Sequence, residues 1–229
     1  MFSAFDPARA KVFIFDVNGV LIDSNRANAR AMSEAFAADA RPRSRIEELY
    51  LALTGIDRGT KIRAIQERVI GRPFAEGEFE LRWESFKTLA HVAMSEAPLV
   101  AGCREALAEL GRRKATRAAL SNTPGPELGR ILEAHGLDTM LEIVRGGGNW
   151  PKSDSLARFL EDFGFRPLDC VFVGDGKGDL LAARQAAVPF FGIDPGRGEF
   201  KGEKDLLGSF DNLAEWGARV LGMGPRSER

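Results

Sequence analysis

Five short apolar runs, each stopping at polar or glycine residues, constrain this chain more than any other feature. They are Val12 to Phe15, Thr116 to Leu120, Leu141 to Val144, Cys170 to Val173 and Val188 to Ile193. None alternates apolar with polar side chains, so each reads as a strand covered on both faces, as in a parallel sheet between two helical layers. Helical patterns follow most of them, and strands alternating with helices predict an α/β fold with a doubly wound parallel sheet. In such a sheet a ligand sits beyond the carboxyl ends of the strands, where the strand order reverses. The residues that directly follow the runs are therefore the candidate site.

Between Ser24 and Pro98 the pattern changes: no convincing strand occurs, and Ala, Leu, Arg, Glu and Phe recur at helical spacing. This predicts an all-α insertion of four helices, a helical cap over residues 25–97, with the α/β core formed by 1–24 and 98–229. Ser24 is the expected N-cap of its first helix, Gly55 to Gly59 and Gly71 to Pro73 are breaks, and Glu76 to Met94 is a longer helix ending before Pro98. The Gly102-Cys103-Arg104 run restarts the core. Asn212 to Leu221 is the last expected helix, Gly222 to Arg229 a frayed tail, and Gly146-Gly147-Gly148 a mobile loop.

Composition narrows the partners. Of 229 residues, 44% are hydrophobic and 28% charged, which is ordinary for a globular protein. The 32 basic and 33 acidic side chains leave a net charge of −1, so no global field draws the chain to nucleic acid or to an anionic membrane. A small molecule is the expected partner. Cys103 and Cys170 have no Cys-x-x-Cys spacing and read as buried thiols of a reducing, cytoplasmic protein. No window reaches the roughly 18 apolar residues of a membrane span, and the start lacks the apolar stretch of an export signal.

Four segments carry the chemistry. Asp16 follows the first run, and alone it would be a turn cap. Ser121 follows the second and can serve as a turn hydroxyl. Lys152 lies after Trp150-Pro151, before a helix starting near Ser153. The fourth segment is Gly174-Asp175-Gly176-Lys177-Gly178-Asp179. Carboxylates placed together repel unless a cation joins them, and Mg²⁺ prefers oxygen ligands. The simpler role of Asp179 is to N-cap the helix Leu180 to Ala187. The glycines do not make a dinucleotide fingerprint, since its sixth position is Asp179, and no phosphate-binding Gly-Lys-Ser/Thr loop is present.

In order and spacing these segments resemble the four motifs of the haloacid dehalogenase superfamily, whose members are mostly Mg²⁺-dependent phosphatases. The insertion just after the first motif is similar to that of the phosphoglycolate phosphatase-like subfamily. The resemblance implies a hydrolase that cleaves a small phosphomonoester through an aspartyl-phosphate intermediate on Asp16. It implies that Ser121 holds a phosphoryl oxygen, with Asn122 beside it, and that Lys152 neutralises charge between Asp16 and the phosphoryl group. Mg²⁺ would be held by Asp16, Asp175 and the backbone carbonyl of Asn18, with Asp179 binding directly or through water. A small phosphorylated metabolite is the implied partner, and the chain is expected to be a monomer or homodimer.

One position departs from the family. Asn18 stands where a second aspartate normally protonates the leaving oxygen and then activates water, and an amide exchanges no proton at neutral pH. Losing that help typically costs about 10² to 10⁴ in rate. The amide fits a natural variant acting on a good leaving group, a degenerate phosphatase that binds a phospholigand without turnover, or an introduced Asp→Asn replacement. A phosphonatase-like hydrolase also lacks the second aspartate but uses a cap lysine, for which Lys61 and Lys87 are candidates. A dehalogenase would not need Asp175 and Asp179, and a mutase would keep the aspartate at position 18. The cap should select the substrate as a lid does. Asn25, Arg26, Thr54, Arg58 and Lys61 are its candidate polar contacts, with Arg58 and Lys61 foremost. His91 and His135 read as structural, Trp83 and Trp216 as packing anchors, and Trp150 as lining the entrance near Lys152.

Overall fold

The computed structural model describes residues 5–37, 43–147 and 152–224, with the side chains of Lys152 and Ser153 outside the description. Six parallel strands form one sheet: β1 (Val12–Phe15), β2 (Thr116–Pro124), β3 (Ile143–Gly147), β4 (Cys170–Gly174), β5 (Phe190–Ile193) and β6 (Gly208–Phe210). Their order is β3-β2-β1-β4-β5-β6. The chain thus winds outward from β1 in one direction through β2 and β3, then returns to its other side with β4. That reversal lies between β1 and β4, which are paired from Val12↔Cys170 to Phe15↔Val173. Asp16 and Asp175 therefore leave adjacent strands at the same rim, where a doubly wound sheet places its ligand.

The apolar runs are continuous because both faces of each central strand are covered. Phe13, Phe15, Val171 and Val173 point to one face and pack with helices α5 (Cys103–Arg112), α6 (Gly125–Ala134) and α9 (Leu213–Val220). Val12, Ile14, Cys170 and Phe172 point to the other, against α7 (Lys152–Phe163) and α8 (Lys177–Gln185). Trp216 is a packing anchor, fully buried and edge-on to Phe13 and Phe15 with ring centroids 5.9 Å from each. Such contacts contribute beyond area burial alone. Trp83 stacks on Phe79. Both cysteines are free and buried.

Helices α1 (Asn25–Ala35), α2 (Arg43–Ala52), α3 (Arg58–Ile65) and α4 (Glu78–Glu96) lie between β1 and β2. They share their own apolar cluster, built on Met32, Phe36, Ile46, Ile62, Ile65 and Phe86. A π-helical turn, Gln66–Ile70, extends α3 to the break at Gly71.

Several boundaries differ from the sequence expectation. β2 continues past Leu120 through Ser121, Asn122 and Thr123, because Gly147 of β3 lets the two backbones approach: a Cβ on Gly147 would lie 2.4 Å from the Asn122 carbonyl oxygen. Gly146 and Gly147 are strand residues for this reason, not a mobile loop; Gly148 lies outside the described residues. β5 starts at Phe190 rather than Val188, since Pro189 has no N–H to give the ladder. β6 has no apolar run and was not expected. Ser24 precedes α1 but makes no side-chain cap, its hydroxyl being drawn into the site. The expected tail from Gly222 ends, at 225–229, outside the described residues.

Candidate active site

Three carboxylates meet at the rim. Asp16, Asp175 and Asp179 are buried, and one oxygen from each lies within 4.8 Å of the others. Asp16 is held by its own backbone N–H, which donates to the Val173 carbonyl at 2.9 Å. Asp179 is the third residue of α8, while the N-cap position belongs to Gly176. Its carboxylate reaches back to accept the N–H groups of Gly176 at 3.1 Å and Asp175 at 3.2 Å. One residue thereby caps the helix and closes the acidic cluster.

Asp175 carries the electrostatic strain. Burial, then the charges of Asp16 and Asp179, push its carboxyl well above the usual carboxylate range, against the opposing pull of Arg197 and Asn25. Its two oxygens are treated differently. Oδ2 accepts from the Asn25 amide and from Arg197, whose guanidinium also donates to the Asp175 carbonyl at 2.8 Å. Oδ1 is buried without a hydrogen-bond partner. An all-oxygen donor set with one such atom suits a hard divalent cation.

A cavity opens above this cluster, lined from the sheet side by Asp16, Asn18, Asn122, Thr123 and Asp175 and from the helical insertion by Asn25, Asn28, Tyr50, Thr54, Arg58 and Lys61. Arg26 is exposed and takes no part in this lining. Ser121, one residue before Asn122, does not line it; its Oγ accepts the Thr123 N–H at 3.2 Å. Lys152 opens α7, but its side chain lies outside the described residues, as do Trp150 and Pro151. Lys87 pairs with Glu84 away from the cavity.

Asn18 is fixed by its surroundings. Its Oδ1 accepts from the Ser24 hydroxyl at 2.8 Å and the Asn28 amide at 3.1 Å, which leaves Nδ2 directed to the Thr123 hydroxyl at 3.5 Å.

The two cations that line the cavity from the insertion differ in state. Asp57 caps α3 by accepting the Thr60 N–H, which puts Arg58 and Lys61 three residues apart on one helical face. Arg58 makes a buried two-pronged bond to Glu127 of α6, at 2.8 and 2.9 Å. Lys61 has no acidic partner among the described residues, and its Nζ rests 3.8 Å from the Tyr50 ring centroid. Loss of water lowers its ammonium to about 8, although Asp175, Asp16 and Asp179 pull it upward.

The insertion docks backbone to backbone. A Cβ on Gly178 would lie 2.6 Å from the Gly55 carbonyl oxygen, and one on Gly176 would lie 2.7 Å from the Thr54 carbonyl carbon. Asn122 donates to the same Gly55 carbonyl at 3.2 Å. The glycines, which make no nucleotide fingerprint, are therefore a seat for the Thr54-Gly55 turn.

Tyr50, Asn28, Thr123, Glu127 and Arg197 escaped the sequence reading. Asn25 and Asn28, polar at helical spacing on the buried side of α1, offered a signal for Asn28, and Tyr50 is the chain's sole tyrosine. Arg197 offered none.

The sequence is similar to the phosphoglycolate phosphatase of Vibrio vulnificus strain CMCP6, with 28% identity over 198 residues that span 81% of this chain and 84% of that protein. The fold is similar to the crystal structure of a predicted phosphoglycolate phosphatase from Haemophilus somnus 129PT, with a TM-score of 0.78 and 19% identity over 94% of this chain and 99% of that one. It is also similar to CbbY from Rhodobacter sphaeroides in complex with phosphate, with a TM-score of 0.74 and 21% identity over 93% of this chain and all of that one. Among the described residues, no helix is long and apolar enough to cross a membrane. The family model for haloacid dehalogenase-like hydrolases matches residues 10–187, and with that match the chain belongs to this family.

Proposed function

We propose that this hydrolase removes the phosphoryl group from a small phosphomonoester by way of Asp16. The observation that carries the reading is the meeting of Asp16, Asp175 and Asp179 beneath a polar cavity, with Asp175 Oδ1 buried and lacking a hydrogen bond. Asp16 attacks phosphorus and forms an aspartyl phosphate, dividing the displacement into two easier steps. Asp16, Asp175, Asp179 and the backbone carbonyl of Asn18 would hold Mg²⁺, which when bound neutralises the charge shared by the carboxylates and the phosphoryl oxygens. Asn122 holds the phosphoryl group from the cavity wall, and the family resemblance assigns the same task to Ser121 and Lys152. The insertion acts as the cap: Lys61 supplies positive charge, while Arg58, paired with Glu127, shapes the wall beside Thr123. Enclosure by Tyr50, Thr54 and Asn28 favours a small metabolite, and 2-phosphoglycolate is the first substrate to test, since relatives bear that name.

A second reading, a phospholigand-binding protein without turnover, is favoured by Asn18, an amide locked by three hydrogen bonds at the proton-transfer position. The two readings separate in a panel of small phosphate esters assayed with Mg²⁺ alongside intact-mass measurement. Turnover, or a phosphoryl adduct, that disappears in Asp16→Ala supports the enzyme. Ligand binding with neither sinks it.

A further inference from the structure

Asn18 leaves the proposed phosphatase without its proton carrier, and the cavity wall supplies another candidate. Among the described lining residues, the groups that titrate are Asp16, Tyr50, Arg58, Lys61 and Asp175. Asp16 is the nucleophile and Asp175 belongs to the acidic cluster. Arg58 is engaged in the buried ion pair with Glu127. Burial pushes the Tyr50 phenol upward, so it keeps its proton. Lys61 remains, buried, turned into the cavity and making no hydrogen bond or ion pair with the described residues.

Resting on the phosphatase reading, we propose that Lys61 is the general acid and base of this site, performing from the cap what an aspartate at position 18 performs elsewhere. The direction of attack supports this. Attacking and leaving oxygens lie roughly in line through phosphorus. Asp16 attacks from the sheet rim, so the leaving oxygen faces the insertion, the side from which Lys61 enters. In the first step the Asp16 oxygen bonds to phosphorus as the ester P–O bond breaks, and the Lys61 ammonium gives a proton to the departing oxygen, releasing an alcohol. In the second, the neutral amine takes a proton from water as the water oxygen bonds to phosphorus. The Asp16–phosphorus bond then breaks, and carboxylate, ammonium and inorganic phosphate are restored.

The surroundings suit that exchange. The Tyr50 ring of α2 covers the ammonium on one side. Asp16, Asp175 and Asp179 face it from the core and favour its charge, while Arg58 on the same helix opposes it. Burial outweighs these and brings the group to about 8, close to the pH at which a general acid–base catalyst works best.

The test is a series of phosphate monoesters whose aryl and alkyl leaving groups carry no further charge, hydrolysed with Mg²⁺, with kcat/KM plotted against leaving-group pKa for the wild type, Lys61→Met and Lys61→Arg. A phenolate such as p-nitrophenolate departs without a proton, whereas an alkoxide needs one. The expected loss in both variants grows along the series, reaching about 10² to 10⁴ for alkyl esters and staying far smaller for p-nitrophenyl phosphate. Adding Asn18→Asp to either variant should recover alkyl ester hydrolysis. Melting curves identify the variants that fold, and Lys61→Arg, which keeps the charge, decides if Lys61→Met does not. An equal loss on every ester makes Lys61 a binding or packing residue and overturns the proposal alone. Failure of the wild type on the whole series overturns the phosphatase reading and the proposal together.

Discussion

The Ser24 hydroxyl donates to Asn18 Oδ1 across 2.8 Å, and it thereby decides which end of the amide meets the cavity. With Asn28 adding a second donor, the pocket around position 18 is built for an acceptor oxygen. A carboxylate fits the same place, so Asn18→Asp should fold normally and raise turnover of alkyl phosphates by up to about 10²-fold. Ser24→Ala in that background should take back part of the gain, because the new carboxylate loses a donor that orients it. Steady-state kinetics on the two variants check this, and an Asn18→Asp protein no faster than wild type refutes it.

Arg58 and Glu127 tie the insertion to α6 through a buried ion pair. Removing one partner strands the other charge, so Glu127→Ala should destabilise the protein by about 3 to 5 kcal/mol. Replacing both, as Arg58→Met with Glu127→Leu, should recover most of that loss, since the site then needs no charge compensation. Urea unfolding of the two variants supplies the comparison. A double variant as unstable as Glu127→Ala would show that the pair contributes more than mutual neutralisation.

How much of this was visible beforehand follows from range. Asp16 and Asp175 were legible because a residue directly after a fully apolar run must emerge at the sheet rim, and β1 and β4 are neighbours. Lys61 was legible as a candidate polar contact just after the break at Gly55 to Gly59, whereas the Asp57 cap that starts its helix is seen only in the structure. The partner of Arg58 was not, because Glu127 lies 69 residues away and only folding brings it near. Arg197 was hidden for the same reason. Its loop has no periodicity, and its contact with Asp175 exists only because β4 and β5 pair. The polar end of β2 was misread as a turn, since strand continuation there depends on the small size of Gly147 across the ladder.

Gly178→Ala tests how the insertion closes. In an exposed helix this change stabilises by about 1 kcal/mol, yet here the methyl group would meet the Gly55 carbonyl. The expected result is a raised KM with a lowered melting temperature, since the methyl group meets backbone and the insertion loses its seat on α8. An unchanged KM would mean that the Thr54-Gly55 turn moves aside without consequence for substrate.

Glu78 gives the insertion an acid limit. Bonds from Arg72, the Ala75 N–H and Arg82 hold its carboxyl at about 2, below its ordinary 4.5. A carboxyl lowered on folding adds stability that is complete above its unfolded pKa and is lost as pH falls through the folded value. Wild type should therefore lose stability relative to Glu78→Gln between about pH 4.5 and 2, with the variant less stable at pH 7 and the gap closing at the acid end. Thermal melts across that interval report it; parallel curves for the two proteins would remove Glu78 from the account.

Arg197 and a divalent cation should partly substitute for one another. The guanidinium donates to Asp175 Oδ2 and to its backbone carbonyl, so it offsets negative charge crowded by Asp16 and Asp179. Without a metal ion, Arg197→Met removes the chief positive charge acting on Asp175, and repulsion among the three carboxylates rises. With Mg²⁺ bound to the folded protein, that charge is supplied independently, and binding itself stabilises the fold by mass action. The expected observation is a fall in melting temperature for Arg197→Met that is large in EDTA and smaller in saturating Mg²⁺. The magnesium-induced rise should accordingly be greater in the variant than in the wild type. Asp175→Asn provides the contrast: relief of the repulsion should raise the melting temperature in EDTA, and the response to Mg²⁺ should largely vanish. An equal fall for Arg197→Met in both buffers would mean that Arg197 acts through packing of the loop after β5, with no electrostatic link to the carboxylate cluster.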